Sequence, residues 1–463
     1  MTTVNRIVVL GALGDLATRL LIPSMAELID AGYLDNPPEV VGVARAELST
    51  DDYRGQMREN LQSFSPETGN DARERLLEAL SYVQADATDA SALDGAIGDD
   101  PAAIYLALPP AIYAGAIDAL ERLDLPEGSR IIIEKPFGDD LDSSIKLNKQ
   151  LRRVFPETAI YRIDHFTALQ AVEAIPAIRF GNPFIERAWN AVHIERVEII
   201  WDDTLALEGR AGYYDSAGAL RDMLQNHLLQ VMCVLAMEAP ASLSGDDLRA
   251  RKLDVLKVIR KQPVGEAADR SYRARYTSGV IDGEHVPGYA EEDGVDPKNE
   301  IETFAEIELD IEHPRWTGVP FLLRSGKAQR EDRRFVNVVF RETGETPFDD
   351  ARESVSNALR IELLPDRLAL SLVLSQPERP TSLRPVELSI DLPEERVQAH
   401  GVLLYDILRG DQSRFVLAEE AEESWRVVQP FLDAWSQNLT PLREYPAGTI
   451  VETGTSPEQS GAG

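Results

Sequence analysis

The first part of the chain alternates short apolar runs with longer, more polar stretches. The runs IVVLG, EVVGVAR, SYVQAD, AAIYLALPP and RIIIEKPFG are typical of strands, and the segments between them are typical of helices. Short and continuously apolar runs indicate strands that are buried on both faces of a parallel sheet. The alternation therefore predicts a doubly wound, Rossmann-type sheet in an α/β domain that ends near residue 170.

Beyond residue 170 the pattern changes to period two. Runs such as VHIERVEIIW, EIETFAEIELDIE, FVNVVFRE and VELSIDL alternate apolar and polar residues, which predicts a sheet with one buried face. Helical stretches at about 215–238, 246–261 and 416–437 would cover that face. We expect an α/β domain over 1–170, an α+β domain with a large, mostly antiparallel sheet over 171–453, and a disordered tail over 454–463.

The charge balance narrows the classes of partner. The chain has 463 residues with 79 acidic and 47 basic side chains, so its formal net charge is -32. Such a chain repels phosphate backbones, and we expect neither nucleic acid nor an anionic membrane as a partner. A small anion can still bind where cations gather locally.

Three features predict a cytoplasmic location. The only cysteine, Cys233, excludes an internal disulfide and fits a reducing compartment. The amino terminus lacks the pattern of a signal peptide. The most apolar helical run, around residues 217–239, is interrupted by Arg221, Asp222 and His227, which argues against a membrane span.

A glycine turn follows the first predicted strand in the motif LGALGDLA. Gly11 permits a tight turn, and Gly14 lets the backbone approach a diphosphate at the amino end of a helix. The spacing is GxxGDL rather than the full GxGxxG, so a purely structural turn is the alternative. Its position on the first strand of an alternating pattern favours a nucleotide site.

Two further strand ends carry basic residues. Arg45 ends the second strand, where an arginine suits the 2′-phosphate of NADP and an acid suits NAD. Glu47 nearby is a weaker signal for NAD. A solvated arginine without a role in binding is the alternative for Arg45. Lys135 follows the strand RIIIE and would lie in the ligand crevice of an open α/β sheet. The tripeptide EKP has low specificity, because other sugar dehydrogenases of this architecture carry it.

Two motifs contain a histidine and an acidic residue close together in the sequence. Asp164 and His165 follow a strand in RIDHF, and His227 lies beside Asn226 in LRDMLQNHLLQ, with Asp222 on the face that Asn226 shares. A satisfied core histidine is the usual alternative for His227 alone. A histidine with a carboxylate suggests abstraction of a hydroxyl proton during hydride transfer, because imidazole is a suitable base near neutral pH.

Seven stretches in order resemble glucose-6-phosphate dehydrogenases over roughly residues 6–440. They are GALGDLA, EKPFG, RIDHF, EGRAGYYDSAGALRDMLQNHLLQ, ETFAEIEL, VPFLLRSGK and DILRGDQSRF. The resemblance implies that a Rossmann-type domain is joined to a β+α domain for substrate binding and dimerisation. It also implies oxidation of a sugar at C1 to the lactone in the pentose phosphate pathway, hydride transfer to NADP or NAD, no metal, and a homodimer or homotetramer.

The resemblance also implies roles for individual residues. His227 matches the catalytic base and Asp164 the carboxylate that orients it. The substrate side is matched by Lys135, His165, Asp203, Asp222 and Lys327, and the cofactor side by Gly11, Gly14, Asp15, Leu16, Arg45 and Lys135.

Several positions depart from the family pattern on the side of the sugar phosphate. The family typically has RIDHYLGKE where this chain has RIDHFTALQ. The changed positions are Phe166, Leu169, Leu20, His400 and Asp332, with Asp203 replacing a glutamate. Each lost charge-assisted bond costs about 1.5–3 kcal/mol, so the pattern suggests an unphosphorylated or C6-modified sugar with unchanged C1 chemistry. An idle nucleotide-binding paralogue and an oxidoreductase that acts on a different sugar carbon are the competing hypotheses.

Overall fold

The computed structural model describes residues 4–207, 211–342, 348, 357–377, 379–393 and 396–453. The chain forms two compact units. Unit 1 comprises Met1–Leu169, Pro240–Leu253 and Pro393–Glu422, and unit 2 comprises Gln170–Ala239, Asp254–Leu392 and Glu423–Gly463. The division into domains 1–170 and 171–453 stays a prediction. The tail predicted for 454–463 lies outside the described residues.

Helices occupy much of both units. Two segments are π-helical, Leu16–Leu21 and Leu220–Leu228. The α-helices in the described ranges are α1 (Ile22–Asp30), α2 (Thr50–Phe64), α3 (Asn70–Ala79), α4 (Ala90–Ile97), α5 (Pro110–Leu120), α6 (Leu141–Val154), α7 (Gln170–Phe180), α8 (Pro183–Ala188), α9 (Ala211–Ala219), α10 (Leu229–Ala236), α11 (Gly245–Val258), α12 (Val264–Asp269), α13 (Ala399–Arg409) and α14 (Ala418–Ser436). Across the described ranges, none of them combines the length and apolarity that crossing a membrane requires.

Unit 1 contains a parallel sheet with the order β3-β2-β1-β4-β5-β6. Its strands are β1 (Arg6–Leu10), β2 (Glu39–Ala44), β3 (Leu80–Gln84), β4 (Ala103–Leu106), β5 (Arg130–Glu134) and β6 (Ile160–Ile163). The predicted Rossmann-type sheet is confirmed.

The two faces of this sheet belong to separate cores. Ile7 and Val9 of β1 pack into one cluster, while Val8 and Leu10 pack into the other. All four side chains are fully or almost fully buried. A strand that is covered on both faces needs an apolar residue at every position, which is why the run is continuous rather than alternating.

Unit 2 contains a mixed sheet with the order β16-β15-β14-β13-β7-β12-β11-β8-β17. Its strands are β7 (Ile194–Asp202), β8 (Ser271–Thr277), β11 (Phe304–Leu309), β12 (Phe321–Gly326), β13 (Arg333–Phe340), β14 (Ala358–Leu363), β15 (Asp366–Gln376), β16 (Arg379–Asp391) and β17 (Leu442–Pro446); β9 (Gly279–Ile281) and β10 (Glu284–Val286) form a separate hairpin. Only the pairs β7–β12 and β8–β17 are parallel within this sheet of described strands, so the predicted mostly antiparallel sheet is confirmed.

Helices pack against this second sheet. Helix α7 contacts β14 and β15, and the π-helical segment Leu220–Leu228 contacts β11 and β12. In β14 burial alternates strictly between neighbouring residues, as expected for a sheet with one covered face. The sheet thus holds the segment that carries Asp222 and His227 in a fixed position.

Candidate active site

The glycine turn after β1 has a geometry that only glycine fits. Gly11 has a φ of 92°, and a Cβ atom there would lie 2.2 Å from the carbonyl oxygen of Ala107. The Gly11 amide donates to the Val43 carbonyl at 2.9 Å, and the Gly14 amide donates to the Gly11 carbonyl at 2.9 Å. These contacts hold the turn against the ends of β2 and β4.

A cavity of about 370 Å³ opens beside this turn, at the carboxyl ends of β1, β2 and β4. Gly11, Gly14 and Arg45 all line it. A glycine turn beside an arginine fits a dinucleotide phosphate, so the residues present fit the predicted cofactor. Asp15 and Leu16 lie at the start of the following helix and are not part of the cavity lining.

Lys135 and Asp164 follow neighbouring strands. Glu134 at the end of β5 pairs in register with Ile163 at the end of β6, and the two residues come directly after this pair. The Tyr105 hydroxyl donates to the Glu134 carboxylate. Burial raises the pKa of Glu134 to about 7. The charge of Lys135 lowers this pKa and the charge of Asp164 raises it, so both charged groups lie close to Glu134. The Lys135–Pro136 peptide bond is cis.

Asp164 is almost completely buried and begins a short 3₁₀ turn. One of its carboxylate oxygens, Oδ1, accepts the Phe166 amide at 3.1 Å. The next side chain, His165, stacks on His400 with ring centroids 5.3 Å apart and planes 24° from parallel. Burial lowers the pKa of His400 to about 4, so this imidazole is neutral at pH 7. His400 therefore supplies no permanent positive charge.

In unit 2 the π-helical segment Leu220–Leu228 carries Asp222 and His227. His227 is 1% exposed, and its amide donates to the Asn226 side-chain oxygen at 2.6 Å. Segments of this type are uncommon and occur mostly at functional sites. The placement on this segment supports a functional role for His227.

Three predicted substrate residues gather around Tyr214. The Lys327 ammonium lies 5.4 Å from the centre of the Tyr214 ring. Burial raises the pKa of Tyr214, and the charge of Asp222 adds to this effect. Burial also raises the pKa of Asp203, while Lys327 and Arg334 oppose it, and Arg334 forms an ion pair with Asp203 at 2.8 Å. Asp203, Asp222 and Lys327 are thus brought together within unit 2.

Sequence reasoning missed the residues that fix this group. Tyr214 and Arg334 had no assigned role, and Asp332 was known only as a departure from the family pattern. The Asp332 carboxylate accepts the Thr204 amide at 2.7 Å and pairs with Arg334 at 2.9 Å. Asp332 therefore helps to position the Asp203 loop, a role that a single sequence does not signal.

The two predicted catalytic residues belong to different units. Asp164 is described within unit 1 and His227 within unit 2. Their direct pairing stays a prediction, as do the roles of the other site residues.

Both parts of the chain match models of one family. Residues 8–174 match "Glucose-6-phosphate dehydrogenase, NAD binding domain", and residues 176–456 match "Glucose-6-phosphate dehydrogenase, C-terminal domain". A glucose-6-phosphate 1-dehydrogenase from Gluconobacter oxydans is 37% identical, with 98% of this chain and 94% of the relative covered. One from Treponema pallidum is 36% identical, with 96% and 91% covered.

Solved structures agree with these sequence matches. A glucose-6-phosphate dehydrogenase in complex with glucose-6-phosphate has a TM-score of 0.89 and 30% identity, with 98% of this chain and 97% of that chain covered. The glucose-6-phosphate 1-dehydrogenase from Mycobacterium avium has a TM-score of 0.86 and 30% identity, with 97% and 95% covered. The chain belongs to the glucose-6-phosphate dehydrogenase family.

Proposed function

We propose that this protein is a glucose-6-phosphate 1-dehydrogenase, which oxidises C1 of the sugar to the lactone. The observation that carries the proposal is the near full-length similarity to curated glucose-6-phosphate 1-dehydrogenases, in a chain that keeps Asp164, Lys135, Asp222 and His227. Their placement at the ends of buried strands and on a buried helical segment supports it.

The chain's own residues supply the proton chemistry. When bound, NADP supplies the acceptor for the hydride that leaves C1. His227 removes the proton of the C1 hydroxyl, so that the C1–O bond gains double-bond character as the hydride departs. Asp164 orients the imidazole and stabilises its positive charge. Lys135, Asp222 and Lys327 would hold the sugar in the orientation that the reaction at C1 requires.

Substitution of the base tests this proposal. We expect His227→Asn to lower kcat by about 10²–10⁴ without a comparable rise in KM, because general-base catalysis contributes on that scale. Asp164→Asn should lower kcat as well. His193→Asn, which changes an exposed histidine of the same unit, is the matched control and should leave kcat unchanged. Full activity of His227→Asn with NADP and glucose 6-phosphate contradicts the proposal.

NADP is the proposed cofactor, with NAD as a second acceptor. The cavity beside Gly11 and Gly14 suits a diphosphate, and Arg45 in the same lining suits the additional phosphate of NADP. Asp15 and Leu16 remain part of the proposed cofactor side through the backbone of the segment that they start.

A second candidate substrate is an unphosphorylated or C6-modified hexose. The observation that favours it is the neutral His400 ring stacked on His165, next to the buried Phe166. A phosphate dianion gains most from charged donors. The neutral imidazole of His400 and the apolar side chains of Phe166, Leu169 and Leu20 provide none.

Steady-state kinetics distinguish the two substrates. A phosphorylated substrate predicts a micromolar KM for glucose 6-phosphate and a much lower kcat/KM for glucose. The second candidate predicts the reverse order, and it also predicts that Leu169→Lys raises kcat/KM for glucose 6-phosphate more than for glucose. Leu169→Met is the matched control, since it keeps the length of the side chain and adds no charge.

We also propose that the chain forms a homodimer or homotetramer through its large sheet. One face of the strand pair β15–β16 carries three large apolar side chains that are 50–63% exposed: Leu374, Leu388 and Ile390. They share this face because Leu388 pairs with Leu370 and Ile390 with Leu368, and alternate residues of a strand point to the same side. Ile390→Lys should lower the molar mass measured by light scattering. Ser389→Lys, which lies between Leu388 and Ile390 and therefore on the opposite face, is the control. The cytoplasmic location stays a prediction.

A further inference from the structure

A second and larger cavity lies in unit 1, at the opposite edge of the parallel sheet from the glycine turn. Its volume is about 730 Å³, which is within the usual range for small-molecule sites. The segments 125–130 and 154–161 line it, and they lead into the amino ends of β5 and β6. Lys135 and Asp164 follow the carboxyl ends of the same strands, so this cavity is separate from the candidate active site.

Tyr161 in the cavity lining lacks a partner for its hydroxyl. The residue is 1% exposed, and its hydroxyl forms no hydrogen bond with any described residue. Its ring is fixed by edge contact with Phe415, at a centroid distance of 4.7 Å. Because Tyr161 lines the cavity, its hydroxyl can donate to a bound acceptor, and a hydrogen bond to a charged group contributes about 1.5–3 kcal/mol.

Two arginines beside Tyr161 are also nearly buried. Arg130 is 6% exposed and Arg249 is 4% exposed, and both line the cavity. Arg249 is held in place, since Nε donates to the Gly245 carbonyl at 3.1 Å and Nη2 donates to Gln412 at 2.9 Å. Its Nη1 group, with two N–H donors, contacts no acceptor among the described residues.

The carboxylates of the cavity lining lie at its rim, and the buried Asp406, whose charge reaches Tyr161, is paired with Arg414. Asp246, which pairs with Arg249 at 3.0 Å, has a side chain that is 94% exposed. Glu127 is also exposed, and Asp411 is half-buried. Water screens charges at the rim, while the buried guanidinium groups face the cavity. Leu125, Phe155 and Pro156 complete an apolar wall, which suits a ligand with a carbon body.

We propose that this cavity binds a small organic anion, with its anionic oxygens at Arg249 and Tyr161 and its apolar body against Phe155. A carboxylate and a phosphate ester share this chemistry. Strands β5 and β6 lead from this cavity to Lys135 and Asp164: Arg130 and Glu134 are about 13 Å apart along β5, at about 3.3 Å per residue. A bound anion that shifts β5 or β6 also shifts Lys135 or Asp164, which makes the cavity a site for an effector.

Calorimetric titration of the full chain with benzoate and with phenyl phosphate tests the site. Saturating NADP fills the dinucleotide cavity during the titration, and inorganic phosphate reports on the head group alone. We expect at least one organic probe to bind with a submillimolar Kd, and the probe that binds identifies the preferred head group. Tyr161→Phe should weaken that binding about tenfold, because it removes one hydrogen bond to a charged group.

A blocking variant and its control complete the test. Thr158 lines the cavity and is exposed. It is neither one of the proposed catalytic residues nor one of the proposed cofactor-binding residues. Thr158→Trp should abolish binding of the probe, whereas Thr158→Ser should preserve it. The proposal is overturned if neither organic probe binds with a submillimolar Kd, or if binding is the same in wild type, Tyr161→Phe and Thr158→Trp. These readouts do not depend on catalytic activity.

Discussion

A Cβ atom on Gly218 would lie 2.4 Å from Oε1 of Glu302, the oxygen that accepts the Leu220 amide at 3.0 Å. Gly218 has a φ of 69° and a ψ of 171°, a backbone region that is essentially limited to glycine. The Glu302 carboxylate occupies the space that a side chain would need and caps the segment Leu220–Leu228. This contact sets where the segment with Asp222 and His227 begins.

We expect Gly218→Ala to destabilise the fold and to lower activity. The backbone strain alone costs about 1–3 kcal/mol, and the displaced Glu302 would release the Leu220 amide. Urea unfolding and steady-state kinetics measure the two effects. Gly212→Ala, in the same helix α9 with no atom within 4 Å of its Cβ position, is the control and should be neutral. Equal stability of both variants contradicts the prediction.

The fold and the candidate site could be predicted from the sequence where the pattern lies within one short stretch of the chain. The strands of unit 1 were predictable because burial on both faces leaves a continuous apolar run, as in β1. Site residues were predictable where they share a short motif, as Asp222 and His227 do. Glu302 and Arg334 were missed because their roles come from contacts between segments that are distant in sequence. No periodicity or motif encodes such contacts in a single chain.

The pKa of Glu134 predicts a pH-dependent stability difference. Its pKa of about 7 in the folded state lies above the ordinary value of 4.5, so folding favours the protonated side chain. The resulting contribution to the free energy of unfolding is complete below pH 4.5 and is lost as the pH rises through 7. The loss is at most about 3 kcal/mol, at 1.36 kcal/mol per pKa unit. Glu134→Gln removes this titration and should therefore be more stable than wild type at pH 8.

Urea unfolding at pH 5 and at pH 8 measures this difference. The advantage of Glu134→Gln over wild type should grow between the two values, since the glutamine keeps an acceptor for the Tyr105 hydroxyl and has no charge to bury. Glu59→Gln changes an exposed glutamate in helix α2 and controls for the substitution itself. An advantage of the same size at both pH values contradicts the assignment.

Arg45 should control the preference for NADP over NAD. Its guanidinium lies in the lining of the cavity at the glycine turn. A hydrogen bond to a charged group contributes about 1.5–3 kcal/mol, so Arg45→Ala should lower kcat/KM for NADP by about 10- to 100-fold. NAD lacks the additional phosphate and serves as the internal control, with a change of less than about threefold. Equal losses with both cofactors would indicate a structural role for Arg45.

The net charge of -32 predicts that salt stabilises the fold. Like charges repel one another most in the compact state, and raising ionic strength from 0.1 M to 1 M shortens the screening length from about 10 Å to about 3 Å. We expect Tm to rise between 0.1 M and 1 M NaCl, with most of the gain below 0.5 M because screening saturates. A variant in which the exposed Asp99, Asp100 and Asp124 become asparagine should be more stable at 0.1 M and should gain less from salt. A Tm that falls with NaCl, or an equal gain in both proteins, contradicts the electrostatic origin.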